Sequence, residues 1–327
     1  MLHVVDQGVV LDSEPAIIAA VVRASNHDLL CACNSGGDLG PGQYGSVVRS
    51  CDGGRSWGPA EHRFESVFRG GGVEIGCSLT RLANGRLLLP YADGFYLHPG
   101  TQDYERRALL FCPYSDDNGH TWQGRRAQPY EGLEAFAFGQ VAECDDGTLL
   151  LPLWGAYRTP SPWVPAVLRS TDGGVSWGDW CPIAAHGDET PIVALPDGRV
   201  LALLRDWAPD DPTRPLHVSW SADRGRTWTE PVPTGICGTS PSLHLSPQGC
   251  LYAGFRSTLP GCNCHVASSR DGGATWRWEL ELERVRGEWS YGGYPVLEDL
   301  PDGRLIAVFH NGTPPDWHVF YNVLTEE

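Results

Sequence analysis

The most regular hydrophobic pattern in the chain is a tight polar turn followed by a short apolar run. It occurs as Asn84-Gly85-Arg86-Leu87-Leu88-Leu89, Asp146-Gly147-Thr148-Leu149-Leu150-Leu151, Asp197-Gly198-Arg199-Val200-Leu201-Ala202, Gln248-Gly249-Cys250-Leu251-Tyr252-Ala253 and Asp302-Gly303-Arg304-Leu305-Ile306-Ala307. A weaker first copy is Asn26-His27-Asp28-Leu29-Leu30. Asn-Gly or Asp-Gly between apolar runs is a strong hairpin signal, because the turn needs backbone at positive φ. The pattern therefore predicts six β-hairpins. No window sustains the 3.6-residue apolar spacing of an amphipathic helix. The charged run 279–286 alternates instead, with Leu280, Leu282 and Val285 as its apolar members, which suits an outer strand.

A second repeat, of the form S-x-D-x-G-x-[ST]-W, is interleaved with the first. Its copies run from Ser50 to Trp57, Ser115 to Trp122, Ser170 to Trp177, Ser221 to Trp228 and Ser269 to Trp276. Their aspartates are Asp52, Asp117, Asp172, Asp223 and Asp271. Such an aspartate can accept backbone N–H bonds within its own turn, and the glycine supplies a left-handed position. Each unit then reads strand, Gly turn, strand, loop, strand, Asp turn, strand. Four strands in roughly 50 residues make one propeller blade. The predicted fold is all-β: a six-bladed β-propeller with four-stranded antiparallel blades, one domain over residues 1–327. The sixth unit has strands at 294–300, 304–309 and 317–323 and no fourth. Residues 2–10 are expected to supply it, closing the ring and removing an exposed edge.

Composition then narrows the function. The chain carries 40 glycines and 26 prolines, both of which interrupt helices. Its formal net charge is −16 and its pI about 5.0, which disfavours nucleic acid and anionic membranes as partners. All 24 basic residues are arginine, so a lysine Schiff base and a phosphate-loop lysine are excluded. The longest apolar stretch, 15–22, is too short to span a bilayer. The first residues read as a strand rather than a secretory leader, so a cytoplasmic location is expected. The 11 cysteines are scattered, with C-x-C pairs at Cys31/Cys33 and Cys262/Cys264, and are expected as reduced thiols. No metal-ligand spacing is present, and no metal or cofactor is expected. The oligomeric state has no signature in the sequence.

In a four-stranded meander the Gly turns and Asp turns share one face. The Asp turns are thus predicted to be structural. The opposite face gathers the starts of the inner strands and the ends of their partners. Nine residues before each turn glycine stand Gly76, Phe138, Glu189, Ser240 and Tyr294. Seven residues after it stand Ala92, Trp154, Arg205, Arg256 and His310. An acid, a tyrosine, two arginines and a histidine from different units are expected to share one funnel, with His310 as a candidate proton carrier. The open end of such a ring is the default ligand site.

Five Asp turns on a six-unit pattern resemble the sialidase (neuraminidase) superfamily, over nearly the whole chain. The stretch from Asp188-Glu189 through Asp197-Gly198 to Arg205 is similar to a glutamate-to-arginine pattern of that family. Gly293-Tyr294-Pro295, leading to Asp302-Gly303, is similar to the segment holding its nucleophilic tyrosine. The resemblance implies Tyr294 as nucleophile and Glu189 as the base that activates it, the sialidase exception to the two-carboxylate rule. Asp38, in the loop before the first Asp turn, is the implied acid/base, with Glu74 as a second candidate. Arg205 and Arg256 match two of the three arginines that hold the sialic acid carboxylate. The first has no counterpart, because no arginine precedes Arg23 and Glu14 stands near its place. A bidentate arginine–carboxylate bond is hard to replace.

The resemblance therefore implies an exo-acting glycoside hydrolase on a small carbohydrate, with sialic acid not required. Trp154, Tyr157 and Trp163 could stack on a sugar face, and Glu14, Ser240 and His310 complete the candidate binding set. Two alternatives stay open. One is a lyase, or a carboxylate-pair hydrolase using Glu14, Glu74 and Glu189, on a uronic or neutral sugar. The other is a carbohydrate-binding propeller without turnover.

Overall fold

The computed structural model describes the chain apart from residues 37–39, 97–105, 125–126, 128, 158–161, 206–212, 260–262, 286–291, 314–315 and 327. The described residues form antiparallel strands and turns, with no helix among them. In the first unit, Ile17–Arg23, Leu29–Asn34, Gly45–Ser50 and His62–Phe64 pair in chain order. In the third, Leu133–Ala137 and Ala142–Glu143 both pair with Leu149–Tyr157, followed by Val164–Ser170 and Gly178–Pro182. The last unit pairs Gly293–Asp299, Leu305–Thr313 and Asp316–Glu326, and the N-terminal strand Leu2–Leu11 takes the expected fourth place. That pairing runs from Leu2 opposite Glu326 to Leu11 opposite Val319.

Two units depart from the simple meander. The second splits into two three-stranded sheets. Its middle strands break between Leu87–Leu88 and Tyr91–Tyr96, and between Arg106–Phe111 and Tyr114–Ser115. Pro90 and Pro113 stand at these breaks, where each removes a ladder donor. The fourth and fifth units share one seven-stranded sheet. The strand Val232–Leu245 pairs with Pro215–Ser221 through its first half and with Leu251–Ser257 through its second.

The core is not one mass but a series of apolar layers between successive units. Leu30, Val47 and Phe64 pack with Ile75, Leu87 and Tyr91. Leu88 and Leu110 pack with Leu149, Leu151 and Leu168, and Leu150 and Val167 with Val200 and Ala202. Leu201 and Val218 pack with Leu251 and Phe255, and Val266 and Cys264 with Phe309 and Phe320. The last unit then meets the first, where Ile306, Val308 and Val319 pack on Ile17, Leu29 and Val48. Each fully buried leucine in these layers contributes roughly 1.5–3 kcal/mol.

The Asp turns lock the layers. A Cβ at Gly119, Gly174, Gly225 or Gly273 would press on Leu30, Leu88, Leu150 or Leu201 of the preceding unit. At Gly54 it would press on Ile306 of the last unit. Each of these apolar partners stands three residues after the positive-φ residue of its hairpin turn, His27 taking the glycine's role in the first copy with φ of 72°. One contact thus repeats from unit to unit, and from the last unit to the first.

Candidate active site

Five of the six inner strands begin with a left-handed residue. Ile18, Cys77, Ser240 and Tyr294 have φ of 51°, 58°, 52° and 53°, and Gly139 has 88°. Register shifts fall between Ile17 and Ala20, Thr239 and Ser242, and Gly293 and Val296. A bulge of this kind bends the strand and re-aims its side chains. The conformation costs about 1–3 kcal/mol for a non-glycine residue. Two of these residues, Ile18 and Tyr294, line a cavity of about 630 Å3, together with Gly76, Phe138 and Glu189 among others. At Gly76 the backbones of two units touch, with the Gly139 N–H donating to the Gly76 carbonyl at 2.7 Å, and a side chain there would collide with the Ala137 carbonyl.

Tyr294 and Glu189 meet at this wall. The Tyr294 hydroxyl donates a hydrogen bond to Glu189 Oε1. The other glutamate oxygen, Oε2, pairs with Arg205 Nη1 at 2.7 Å. Burial drives the Glu189 carboxyl above its ordinary value, against the opposing pull of the Arg205 guanidinium. A carboxylate held this way is a better base than an exposed one.

Arg205 is itself gripped by Asp188. Its Nε donates to Asp188 Oδ1 at 2.6 Å and its Nη2 to Oδ2. Its Nη1 also donates to Thr239 Oγ1 at 3.0 Å. Burial pulls the guanidinium down, but Glu189 and Asp188 outweigh it and raise Arg205, keeping it charged. Arg256 lines the same cavity, and its Nη1 donates to the Gly292 carbonyl at 3.3 Å.

A further wall of the cavity is aromatic. Trp154 and Trp163 lie with ring centroids 4.7 Å apart, and Phe136 stands 5.8 Å from each. Buried Ala92 and Ala108 pack with Phe136 and hold this cluster in place. Phe138 reaches across to Tyr294 at 6.0 Å. Glu74, at the end of the strand Gly72–Glu74, also lines the cavity. A more open apolar groove of about 500 Å3, lined by Tyr157, Trp180 and Ile183, adjoins it through Pro162 and Ala185.

Three expected ligand contacts are placed elsewhere. Ser240 and His310 are fully buried and do not line the cavity. The bulges shift these positions, so counting from the turn glycine puts them behind the wall. The His310 ring stacks on Tyr294 at 5.7 Å, and its Nδ1 accepts from the Ile18 N–H at 3.3 Å. Burial and the nearby Arg256 push its pKa down to about 3, so near neutral pH it braces the tyrosine rather than carrying a proton. Glu14 does not line the cavity; it accepts from the Tyr44 hydroxyl at 2.5 Å and pairs with Arg63, on the strand His62–Phe64, at 2.8 Å. Asp38 lies outside the described residues. Among the described residues, no cluster of three or more His, Cys, Asp or Glu is arranged to hold a metal ion.

Residues 95–242 match the BNR repeat-like domain family. The crystal structure of a protein of unknown function from Dyadobacter fermentans superposes with a TM-score of 0.82 at 20% identity, covering 100% of this chain and 99% of that one. The Hadza microbial sialidase Hz136 superposes with a TM-score of 0.73 at 19% identity, over 94% of this chain and 65% of that one. The intramolecular trans-sialidase from Ruminococcus gnavus, in complex with oseltamivir carboxylate, gives 0.70 at 15% identity, over 97% and 95%. The fold is sialidase-like. No curated protein sequence matches the chain.

Within this sialidase-like fold, sequence reasoning missed Asp188, Thr239, Phe136 and His186, all but Thr239 lining the cavity. Asp188 could have been found, because an acidic doublet at the start of an otherwise apolar inner strand needs a cationic partner. Phe136 and Thr239 lie before the bulges and have no sequence signal of their own.

Proposed function

We propose that the chain is a six-bladed β-propeller, one domain over residues 1–327, acting as a retaining exo-glycoside hydrolase. The repeated unit-to-unit contact, with the last unit packed on the first, supports the ring. The hydrogen bond from Tyr294 to Glu189, on the wall of a sugar-sized cavity, carries the activity. Glu189 accepts the phenolic proton as the Tyr294 oxygen attacks the anomeric carbon. The leaving oxygen takes a proton from an acid, for which Glu74 and Asp38 are the candidates. Water then attacks the anomeric carbon, giving its proton back to the carboxylate that protonated the leaving group, and as the glycosyl–tyrosine bond breaks Glu189 returns its proton to the phenol. His310, neutral and stacked on the tyrosine ring, holds it in place. The Trp154–Trp163 wall offers a sugar ring an apolar face. The similarity to sialidases supports this reading of the reaction, not of the sugar.

The test is release of methylumbelliferone from a panel of neutral, uronic and sialic acid conjugates by the wild-type protein and Tyr294→Phe. It is paired with trapping by the matching fluorinated glycosyl fluorides and peptide mass spectrometry. Tyrosine-dependent release with a label on Tyr294 is the expected result. Release that survives Tyr294→Phe would move the chemistry to the carboxylates. An unsaturated product absorbing in the ultraviolet would make the protein a lyase, and binding without any product would make it a lectin-like module.

A further inference from the structure

Asp188 occupies an unusual position for a cavity residue. It lines the cavity, yet both its oxygens face the protein's own arginine rather than open space. It holds the Nε–Nη2 edge of Arg205, one of the edges with which a guanidinium takes a carboxylate side-on. The remaining nitrogen, Nη1, is engaged by Glu189 at 2.7 Å and Thr239 at 3.0 Å. The aspartate is fixed in turn by the backbone, since its Oδ1 also accepts the Glu189 N–H at 2.6 Å and its own N–H donates to the Arg205 carbonyl at 3.3 Å. Three carboxylates, Glu74, Asp188 and Glu189, face two guanidiniums, Arg205 and Arg256, around the same cavity. The lining is formally anionic, inside a chain of net charge −16.

We infer that Asp188 is a built-in carboxylate that fills the anion seat of Arg205, so the cavity selects sugars carrying no carboxylate of their own. This rests on the glycosidase reading for the word sugar, and it adds the class: a neutral glycoside, oriented by the aromatic wall. An incoming carboxylate would have to displace Asp188 from a bidentate bond and leave it buried beside Glu74 and Glu189, a costly arrangement of like charges. The same bond pins the inner hairpin at Arg205, so Asp188 sets specificity and positions Glu189 through the shared guanidinium.

The experiment needs binding only, so it stands apart from turnover. Isothermal calorimetry and thermal shift are run on three proteins that all carry Tyr294→Phe: the parent with Asp188 intact, Asp188→Ala and Asp188→Ser. The probes are acetate, glucuronic acid and N-acetylneuraminic acid, against glucose and N-acetylglucosamine, at constant ionic strength. Acetate should stabilise the Asp188 variants and not the parent. The two acidic sugars should bind the variants on the order of tenfold or more tighter than the parent, as expected for a regained charged fork. Adding Arg205→Gln should erase the gain. A parent protein that binds either acidic sugar more tightly than the neutral ones overturns the proposal, even if no variant folds. So do folded variants that acetate does not stabilise. Loss of turnover with this binding pattern intact would retire the hydrolase reading and leave the selectivity standing.

Discussion

The five turn aspartates and the cavity acids put one functional group to opposite uses. At the turns, each carboxylate is closed in by donors from its own loop. Asp117 accepts from Ser115 Oγ at 2.7 Å, from the Thr121 N–H at 2.8 Å and from Thr121 Oγ1 at 2.6 Å. Asp52, Asp172, Asp223 and Asp271 repeat the set. The Thr121 and Ser115 bonds favour the charged form and bring Asp117 down to about 2. In the cavity, burial takes Glu189 the other way. A carboxylate stabilised as an anion is a poor base, and one destabilised by burial is ready to accept a proton. The repeated acids therefore hold the chain, whereas Glu189, among the cavity acids, is poised to accept a proton.

The largest expected effect tests the cavity side of this contrast. Tyr294→Phe keeps the ring, its stacking on His310 and the bulge, and removes only the hydroxyl. Turnover should fall on the order of 10³-fold or more, with Tm close to the parent value. Glu189→Gln comes next, with a loss of about 10²- to 10⁴-fold in kcat. Its pH profile is the sharper readout. A base must be ionised to act, and the Glu189 carboxyl titrates above the ordinary glutamate range. The acidic limb of the parent's kcat/KM profile should therefore lie at higher pH than an ordinary glutamate would give, and should vanish in Glu189→Gln. A limb that persists in the variant would assign it to Glu74 or Asp38 instead.

Much of the frame was legible in the sequence, for a physical reason. Turns need particular residues at particular φ, so Asp-Gly and the Ser-x-Asp-x-Gly spacing announce themselves wherever the chain reverses. The N-terminal strand was legible too, because the last unit was one strand short. The break in the second unit was visible only as Pro90 and Pro113, which do not announce how a sheet will divide. The cavity was half legible. Residues projected from the turns reached Glu189, Tyr294, Arg205, Arg256 and Trp154, all of which line it. The same projection missed the burial of Ser240 and His310, because positive φ at Ser240 and Tyr294 is a tertiary outcome in residue types that rarely adopt it. The sequence marks Arg205 as a ligand clamp but not the Asp188 carboxylate that holds it, since pairing across a hairpin depends on side-chain direction rather than spacing.

Two smaller effects sharpen the comparison from either end. Trp154→Ala removes one ring of the aromatic wall while leaving the Tyr294–Glu189 pair untouched. It should raise KM about fivefold and leave kcat within a factor of a few, as expected for a stacking contact of about 1 kcal/mol. A fall in kcat alone, at constant KM, would mean that the wall acts in the transition state rather than in binding.

Asp117→Ala should have the smallest effect and be the cleanest control. It removes one exposed turn's hydrogen bonds, so stability should fall by about 1 kcal/mol, a drop of about 2 °C in Tm, with kcat/KM unchanged. Its pH dependence has a definite sign. The folded carboxyl sits at about 2, below the ordinary 3.8, so ionisation is favoured by folding. Its stabilisation is complete above roughly pH 4 and is lost as the pH falls toward 2. The Tm difference between parent and Asp117→Ala should therefore be constant at neutral pH and close through that acid window. A variant that kept its Tm and lost activity would place this turn in the working machinery, and the division between repeated and unrepeated acids would fail.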